Sequence, residues 1–133
     1  MRIVAKALIF DNDQRILVLR RSSTHPRFAY HWDFPGGEVE VHEKPDEAVM
    51  REIYEETRLR VGLGNLQLVH TEQASEHWRY TVFSVQLHGS RPGITLSREH
   101  DRYEWLTKDA LLAQDIPKDA DDYYLTVLRY IAV

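Results

Sequence analysis

Between Gly37 and Leu59 the chain places Glu43, Arg51, Glu52, Glu55 and Glu56 at short, regular steps. On a helix, at about 100° per residue, Glu52, Glu55 and Glu56 share an arc of roughly 100° because i,i+3 and i,i+4 positions stack. Three carboxylates on one face repel one another unless solvent, a basic partner or a divalent cation offsets the repulsion. Hard cations such as Mg²⁺ choose oxygen ligands of this kind. Arg51 lies four residues before Glu55, so an ion pair along the helix is available, either as a surface pair or as a device that orients the carboxylates. Glu43 precedes the helix and reads as support for the loop rather than as a ligand.

The acidity is local. Eight acidic and three basic residues from Gly36 to Leu59 give −5, whereas the whole chain carries −4, leaving +1 for the remainder. A nearly neutral remainder without a long basic run argues against duplex nucleic acid as a partner. The local carboxylate cluster argues instead for metal-mediated phosphate binding. The chain has no cysteine, so disulfides, thiol catalysis and thiolate metal sites are excluded. Its seven histidines show no close ligand spacing, which reads as scattered structural or surface residues rather than a zinc site. No Gly-x-Ser-x-Gly elbow supports a serine triad.

At 133 residues the chain accommodates one domain, read as 1–133. No apolar run approaches the length of a membrane span, and Lys6 interrupts the first apolar stretch. The expectation is a soluble cytoplasmic protein without membrane contact. Oligomeric state is not legible.

Elements that must position the carboxylates follow from pattern. Ile3 to Phe10 and Arg15 to Leu19 read as strands joined by the turn residues Asp11-Asn12-Asp13-Gln14. Arg20 to Tyr30 reads as a loop, and Trp32-Asp33-Phe34 as a short strand entering Pro35-Gly36-Gly37, where glycine allows close backbone approach to a ligand. A helix is expected from Pro45, a favoured first position, although Lys44 is a poor N-cap. Val49, Met50 and Ile53 form its apolar arc; Ala48, on the acidic side, reads either as room for substrate or as a helix-favouring residue. Further strands are expected at Leu66 to Thr71, Trp78 to Leu87 and Tyr103 to Leu106, with a turn at Ser90-Arg91-Pro92-Gly93. Thr107 can cap a helix from Lys108 to Ala113, and Asp121 to Val133 reads as a closing helix burying Leu125, Leu128 and Ile131. Strands flanking one helix, followed by C-terminal helices, suggest an α/β fold with a mixed sheet.

The Gly37–Leu59 segment resembles the signature of the Nudix hydrolases: Gly, five residues, Glu, seven residues, then Arg-Glu-apolar-x-Glu-Glu-x-Gly-apolar. Gly37, Glu43, Arg51, Glu52, Ile53, Glu55, Glu56 and Leu59 fit, and Arg58 stands where the family usually has its second glycine. The resemblance implies an α/β/α sandwich with helices on both faces of a mixed sheet. It also implies hydrolysis of a diphosphate linkage by water attack on phosphorus, with Mg²⁺ as cofactor and Mn²⁺ able to substitute. By that likeness Glu52 and Glu56 are direct metal ligands, Glu55 shares ligation, the Gly36 carbonyl completes the shell, and Arg51 orients the carboxylates. The general base is either a box glutamate, Glu55 or Glu56, or Glu99 from a later loop, since family members differ. If Arg58 keeps the left-handed conformation of a glycine it costs about 1–2 kcal/mol; otherwise Gly62 or Gly64 reshapes the helix end.

A nucleotide-type substrate follows from the same likeness. Its base commonly stacks on aromatic rings, and Phe28 and Trp78 are preferred among Phe28, Tyr30, Trp32, Trp78 and Tyr80. Arg20, Arg21 and Arg27 can meet phosphates, with Arg27 preferred, or remain solvated. The Ser97–Leu106 stretch, Ser-Arg-Glu-His-Asp-Arg-Tyr-Glu-Trp-Leu, looks like that of asymmetric diadenosine tetraphosphate hydrolases and of some pterin or nucleoside triphosphate pyrophosphohydrolases. Phe34-Pro35-Gly36-Gly37 favours the second group, because the tetraphosphate hydrolases usually carry Pro-Lys-Gly-His and this chain has Gly36 and Glu38 at the Lys and His positions. A nucleoside triphosphate or another nucleoside diphosphate derivative is therefore expected, with dinucleoside polyphosphates or dihydroneopterin triphosphate as alternatives. A domain that binds nucleotide without hydrolysing it generally lacks a box glutamate, and this chain lacks none.

Overall fold

Period-two alternation on the central strands sorts the core into two layers. A computed structural model describes residues 1–25, 28–116 and 122–132. Its elements are β1 (Arg2–Phe10), β2 (Ile16–Arg21), β3 (Trp32–Asp33), β4 (Gly36–Glu38), α1 (Pro45–Thr57), β5 (Leu66–Gln73), β6 (Trp78–Gln86), β7 (His100–Leu106), α2 (Lys108–Leu112) and α3 (Asp122–Ala132), with a 3₁₀ turn at Leu63–Asn65. Ala5, Ala7 and Ile9 of β1, Leu17 and Leu19 of β2, and Phe83 and Val85 of β6 pack on Val49 and Ile53 of α1. The intervening residues Leu8, Ile16, Val18 and Val82 meet Leu111 of α2 and Tyr124, Val127, Leu128 and Ile131 of α3. Both faces of the sheet are thus covered, which is the expected sandwich.

The sheet runs β3-β2-β1-β6-β5, with β4 added to β1 and β7 to β2. β1 and β6 are parallel over their whole lengths, from Arg2 beside Trp78 to Phe10 beside Gln86, and the other pairs are antiparallel. The β1–β2 hairpin closes as expected: Asp11 Oδ1 accepts from the backbone N–H groups of Asp13 at 2.9 Å and Arg15 at 2.8 Å. β4 was not legible in the sequence. It consists of three residues, two of them glycine, and exists because Gly36, Gly37 and Glu38 pair with Lys6, Ala5 and Val4 of β1. The expected loop from Arg20 begins two residues later, because Arg20 and Arg21 remain in β2.

α1 starts at Pro45 as expected. Lys44 makes no side-chain cap; instead Glu47 Oε1 accepts from the Lys44 N–H at 2.9 Å. The helix ends on Arg58 in the left-handed region, φ 65° and ψ 11°, its N–H donating to the Tyr54 carbonyl at 2.8 Å. Gly62 and Gly64 do not carry positive φ, so the helix end is not reshaped through them. Ala48 is fully buried, which leaves the reading as a helix-favouring residue and removes the one that gave it to substrate. In α3 Leu128 and Ile131 are buried and Leu125 is only half-buried. Among the described residues no helix is long and apolar enough to cross a membrane.

Candidate active site

The solvent-facing edge of α1, the β4 backbone and the loop before β7 bound a cleft of about 350 Å³. Glu52, Glu55 and Glu56 line it together with Gly36, Gly37 and Glu99. The helix grades its carboxylates by depth: the Glu55 side chain is about half exposed, Glu52 mostly covered and Glu56 buried. Burial raises the Glu56 carboxyl well above the usual carboxylate range, against the opposing effects of Lys6 and of the Gly36 N–H, which donates to Glu56 Oε1 at 2.8 Å. Burial also raises Glu52, opposed chiefly by Arg51.

Arg51 holds this face in order. Its Nε and Nη2 donate to the two Glu43 oxygens at 2.6 and 2.9 Å, and Nη1 donates to Glu52 at 3.0 Å and Glu55 at 3.2 Å. One planar fork thus ties the loop glutamate to two box glutamates. Its hydrogen bond to Glu43 is the main reason the Arg51 guanidinium is held above its ordinary value, and the same bond lowers Glu43. Glu43 also accepts from the Glu40 N–H at 3.0 Å, so it supports the loop, as its position before the helix suggested.

The two glycines have separate tasks. Gly36 has φ 132°, and a Cβ there would lie 2.1 Å from the Ala5 carbonyl oxygen. A Cβ on Gly37 would lie 2.7 Å from the Glu52 carboxyl carbon. The close approach that glycine permits is therefore to β1 and to a site carboxylate. The Gly36 carbonyl accepts from Lys6 Nζ at 3.1 Å, which leaves one of its two lone pairs.

Glu99 reaches the site through irregular backbone. Opposite Arg20 and Arg21 the β7 register skips Asp101, a bulge whose carboxylate is held by Arg20 at 2.8 and 3.0 Å. The preceding loop is pinned by Ser22, whose N–H donates to the Glu99 carbonyl at 2.8 Å and whose hydroxyl donates to the Arg98 carbonyl at 2.7 Å. Ligand atoms of Glu56, Glu99 and His100 consequently lie within 4.8 Å of one another. His100 is buried, its Nδ1 has no hydrogen-bond partner among the described residues, and burial lowers its pKa to about 4, so it is neutral near pH 7. Carboxylate oxygens from two elements beside an unpartnered neutral imidazole form a donor set that suits a divalent cation.

The floor of the cleft was not foreseen. Lys6 donates to Asp33 at 3.1 Å and to the Phe34 carbonyl at 3.3 Å. Arg21 donates to the same Asp33 oxygen at 3.0 Å, and the Tyr123 hydroxyl reaches it at 3.2 Å. Lys6, Arg21 and Asp33 are all buried, and Lys6 acts electrostatically on Glu52, Glu56 and His100. The parity of Lys6 in an otherwise apolar strand was the available signal: Leu8, two residues on, is core.

The expected substrate contacts divide. Trp78 lines the cleft together with Tyr123, although the Arg2 guanidinium already lies 4.4 Å from its ring centre. Phe28 packs on His31 at 5.4 Å and beside Arg21, and it is not among the residues lining the cleft. Arg27 lies outside the described residues. Arg20 and Arg21 are committed to Asp101 and Asp33, which removes them as solvated phosphate ligands. Tyr30 is exposed beside Arg20, and Tyr80 is buried in β6.

The NUDIX domain family matches residues 1–127. Diphosphoinositol polyphosphate phosphohydrolase 2 of Homo sapiens is 30% identical over 129 residues, covering 94% of this chain and 69% of that protein. A MutT-like protein of Streptomyces ambofaciens is 35% identical over 103 residues, 77% of this chain and 61% of the relative. The crystal structure of a MutT protein from Methanosarcina mazei Go1 superposes with a TM-score of 0.75 at 28% identity, covering 98% of this chain and 91% of that one.

Proposed function

The chain belongs to the Nudix hydrolase family, and on that premise we propose that it is a Mg²⁺-dependent pyrophosphohydrolase of nucleotide-type substrates. The observation that carries this reading is the convergence of Glu56 from α1 and Glu99 from the loop before β7, in a cleft that Glu52 and Glu55 of α1 also line. Glu52, Glu55 and Glu56, with the second lone pair of the Gly36 carbonyl, are the residues that would hold the cation, and Glu99 and His100 lie within reach of it. A bound divalent cation supplies charge neutralisation for the diphosphate and its leaving group.

The protein's own residues do the rest. Arg51 holds Glu52 and Glu55 in register, so that these carboxylates need not reorganise when substrate enters. Glu99 is exposed and carries no side-chain hydrogen bond among those of the described residues, which suits it to take a proton from water attacking phosphorus. Glu56, buried and accepting the Gly36 N–H at 2.8 Å, fits the ligand role better than that of base. Trp78 and Tyr123 line the same cleft, and since Arg2 lies 4.4 Å from the Trp78 ring centre and Lys6 Nζ 4.5 Å from that of Tyr123, a base would stack on the opposite face of either ring.

A panel of nucleoside triphosphates, nucleoside diphosphate derivatives, dinucleoside polyphosphates and dihydroneopterin triphosphate, assayed for phosphate or pyrophosphate release with and without Mg²⁺, tests the reading. Turnover of at least one compound that disappears on chelation supports it. Nucleotide binding without turnover on any of them contradicts it.

A further inference from the structure

Beyond the carboxylates the cleft opens into a second recess of about 470 Å³ that shares Glu55, Glu56 and Glu99 with the first and adds Arg58, Ser97 and Arg98. The other arginines around the site are spent: Arg2 on Glu38, Arg20 on Asp101, Arg21 on Asp33 and Arg51 on three glutamates. Arg58 and Arg98 are exposed, and neither pairs with a carboxylate among the described residues. Both project from fixed backbone. Arg58 caps α1 in the left-handed region with its guanidinium 5.1 Å from the Tyr54 ring centre. The Arg98 carbonyl accepts from the Ser22 hydroxyl at 2.7 Å and the Thr24 hydroxyl at 3.2 Å.

A recess with carboxylates on one side and two uncommitted guanidinium groups on another suits an anion that runs along the carboxylates and continues past them. Arg58 occupies the position that departs from the signature, and it retains there a backbone conformation in which glycine would be unstrained. Resting on the function proposed above, we propose that Arg58 and Arg98 form a subsite for a phosphate lying beyond the cleaved diphosphate linkage. The substrate class is then a chain of three or more phosphates, with the base toward Trp78 and Tyr123 and the outer phosphate toward Arg58 and Arg98. Guanidinium groups are the side chains suited to bidentate capture of phosphate oxygens.

The test compares kcat/KM for a nucleoside triphosphate with that for a nucleoside diphosphate sugar in wild type, R58G, R58K, R98A and the double variant R58G/R98A. R58G relieves the left-handed residue and so keeps the fold. The triphosphate-to-sugar ratio should fall about tenfold for each lost guanidinium, as expected for one charge-assisted hydrogen bond, carried mainly by KM and partly restored in R58K. A ratio within twofold of wild type in the double variant overturns the subsite. If wild type cleaves no phosphoanhydride, the functional reading has failed on its own, and binding of inorganic tripolyphosphate by calorimetry decides the subsite. Affinity lost in the double variant supports it, and equal affinity overturns it.

Discussion

Gly37→Ala separates the geometry of the site from the stability of the fold. The added Cβ would stand 2.7 Å from the Glu52 carboxyl carbon and 2.8 and 3.0 Å from its oxygens, where ordinary contacts begin at 3.4 Å. Glu52 must therefore retreat by about 1 Å, and as the end of a flexible side chain it can do so. Gly37 lacks a positive φ, so alanine is conformationally acceptable there and the global cost stays below about 1 kcal/mol. Mg²⁺ demands near-ideal octahedral ligands, and a displacement of about 1 Å in a reacting assembly costs on the order of 100-fold in rate. Activity measured against Mg²⁺ concentration, with a urea melt in parallel, should show a raised metal midpoint and a rate down by about that factor at nearly wild-type stability. The neighbouring Gly36→Ala should fail differently. Its Cβ would enter the Ala5 carbonyl at 2.1 Å and force the β1–β4 pairing apart, costing about 3 kcal/mol or more. Wild-type metal dependence in Gly37→Ala would refute the assignment of Glu52 as a cation ligand held against β4.

Arg51→Lys should lose most of the activity without recovering the fork, because an ammonium cannot serve Glu43, Glu52 and Glu55 in one plane; steady-state kinetics beside Arg51→Ala check this. Arg58→Gly should stabilise by up to about 1 kcal/mol, the left-handed penalty less the contact with Tyr54, and raise Tm by roughly 2–4 °C. A lowered Tm would count against strain at this position. His100 has a folded pKa of about 4 against an ordinary 6.5, so the native state binds fewer protons than the unfolded chain in that window. Its contribution is present above about pH 6.5 and lost on acidification toward pH 4, to a limit of about 3 kcal/mol. Urea melts of wild type and His100→Gln across that range should converge if this is right and run parallel if it is not. Glu56 has the opposite sign: burial holds its pKa above the usual carboxylate range, so the metal-free site keeps a proton to higher pH than an ordinary carboxylate and Mg²⁺ affinity should rise with pH across that range. Calorimetry at several pH values should show that rise, and an affinity independent of pH would contradict the raised Glu56 pKa.

The carboxylate helix was legible because its information is local. Pro45, the i,i+3 and i,i+4 glutamates and Arg51 lie within one 13-residue element whose angular spacing follows from the sequence. The helix end at Arg58 was legible only as an alternative between a left-handed residue and an end reshaped through Gly62 or Gly64, which backbone conformation decides for the first. The floor of the cleft was not, because Lys6 meets Asp33 across 27 residues and only the β1–β4 and β2–β3 pairings bring them together. In the sequence His100 is one of several scattered histidines; a bulge at Asp101 and burial under tertiary contacts place it beside Glu56, and neither leaves a periodic trace. Polar neighbours in sequence point equally to Phe28 and Trp78, yet only Trp78 lines the cleft; Phe28 packs on His31, and the second ring, Tyr123, arrives from α3.

The central claim is that Glu56, at the buried end of the α1 carboxylate series, holds the cation on which hydrolysis depends. Calorimetric titration of Mg²⁺ into wild type and Glu56→Gln, with folding confirmed by circular dichroism, tests it most directly. Wild type should bind Mg²⁺ measurably and the variant at least tenfold more weakly, with hydrolysis lost in parallel. Equal Mg²⁺ affinity in the two folded proteins would contradict it.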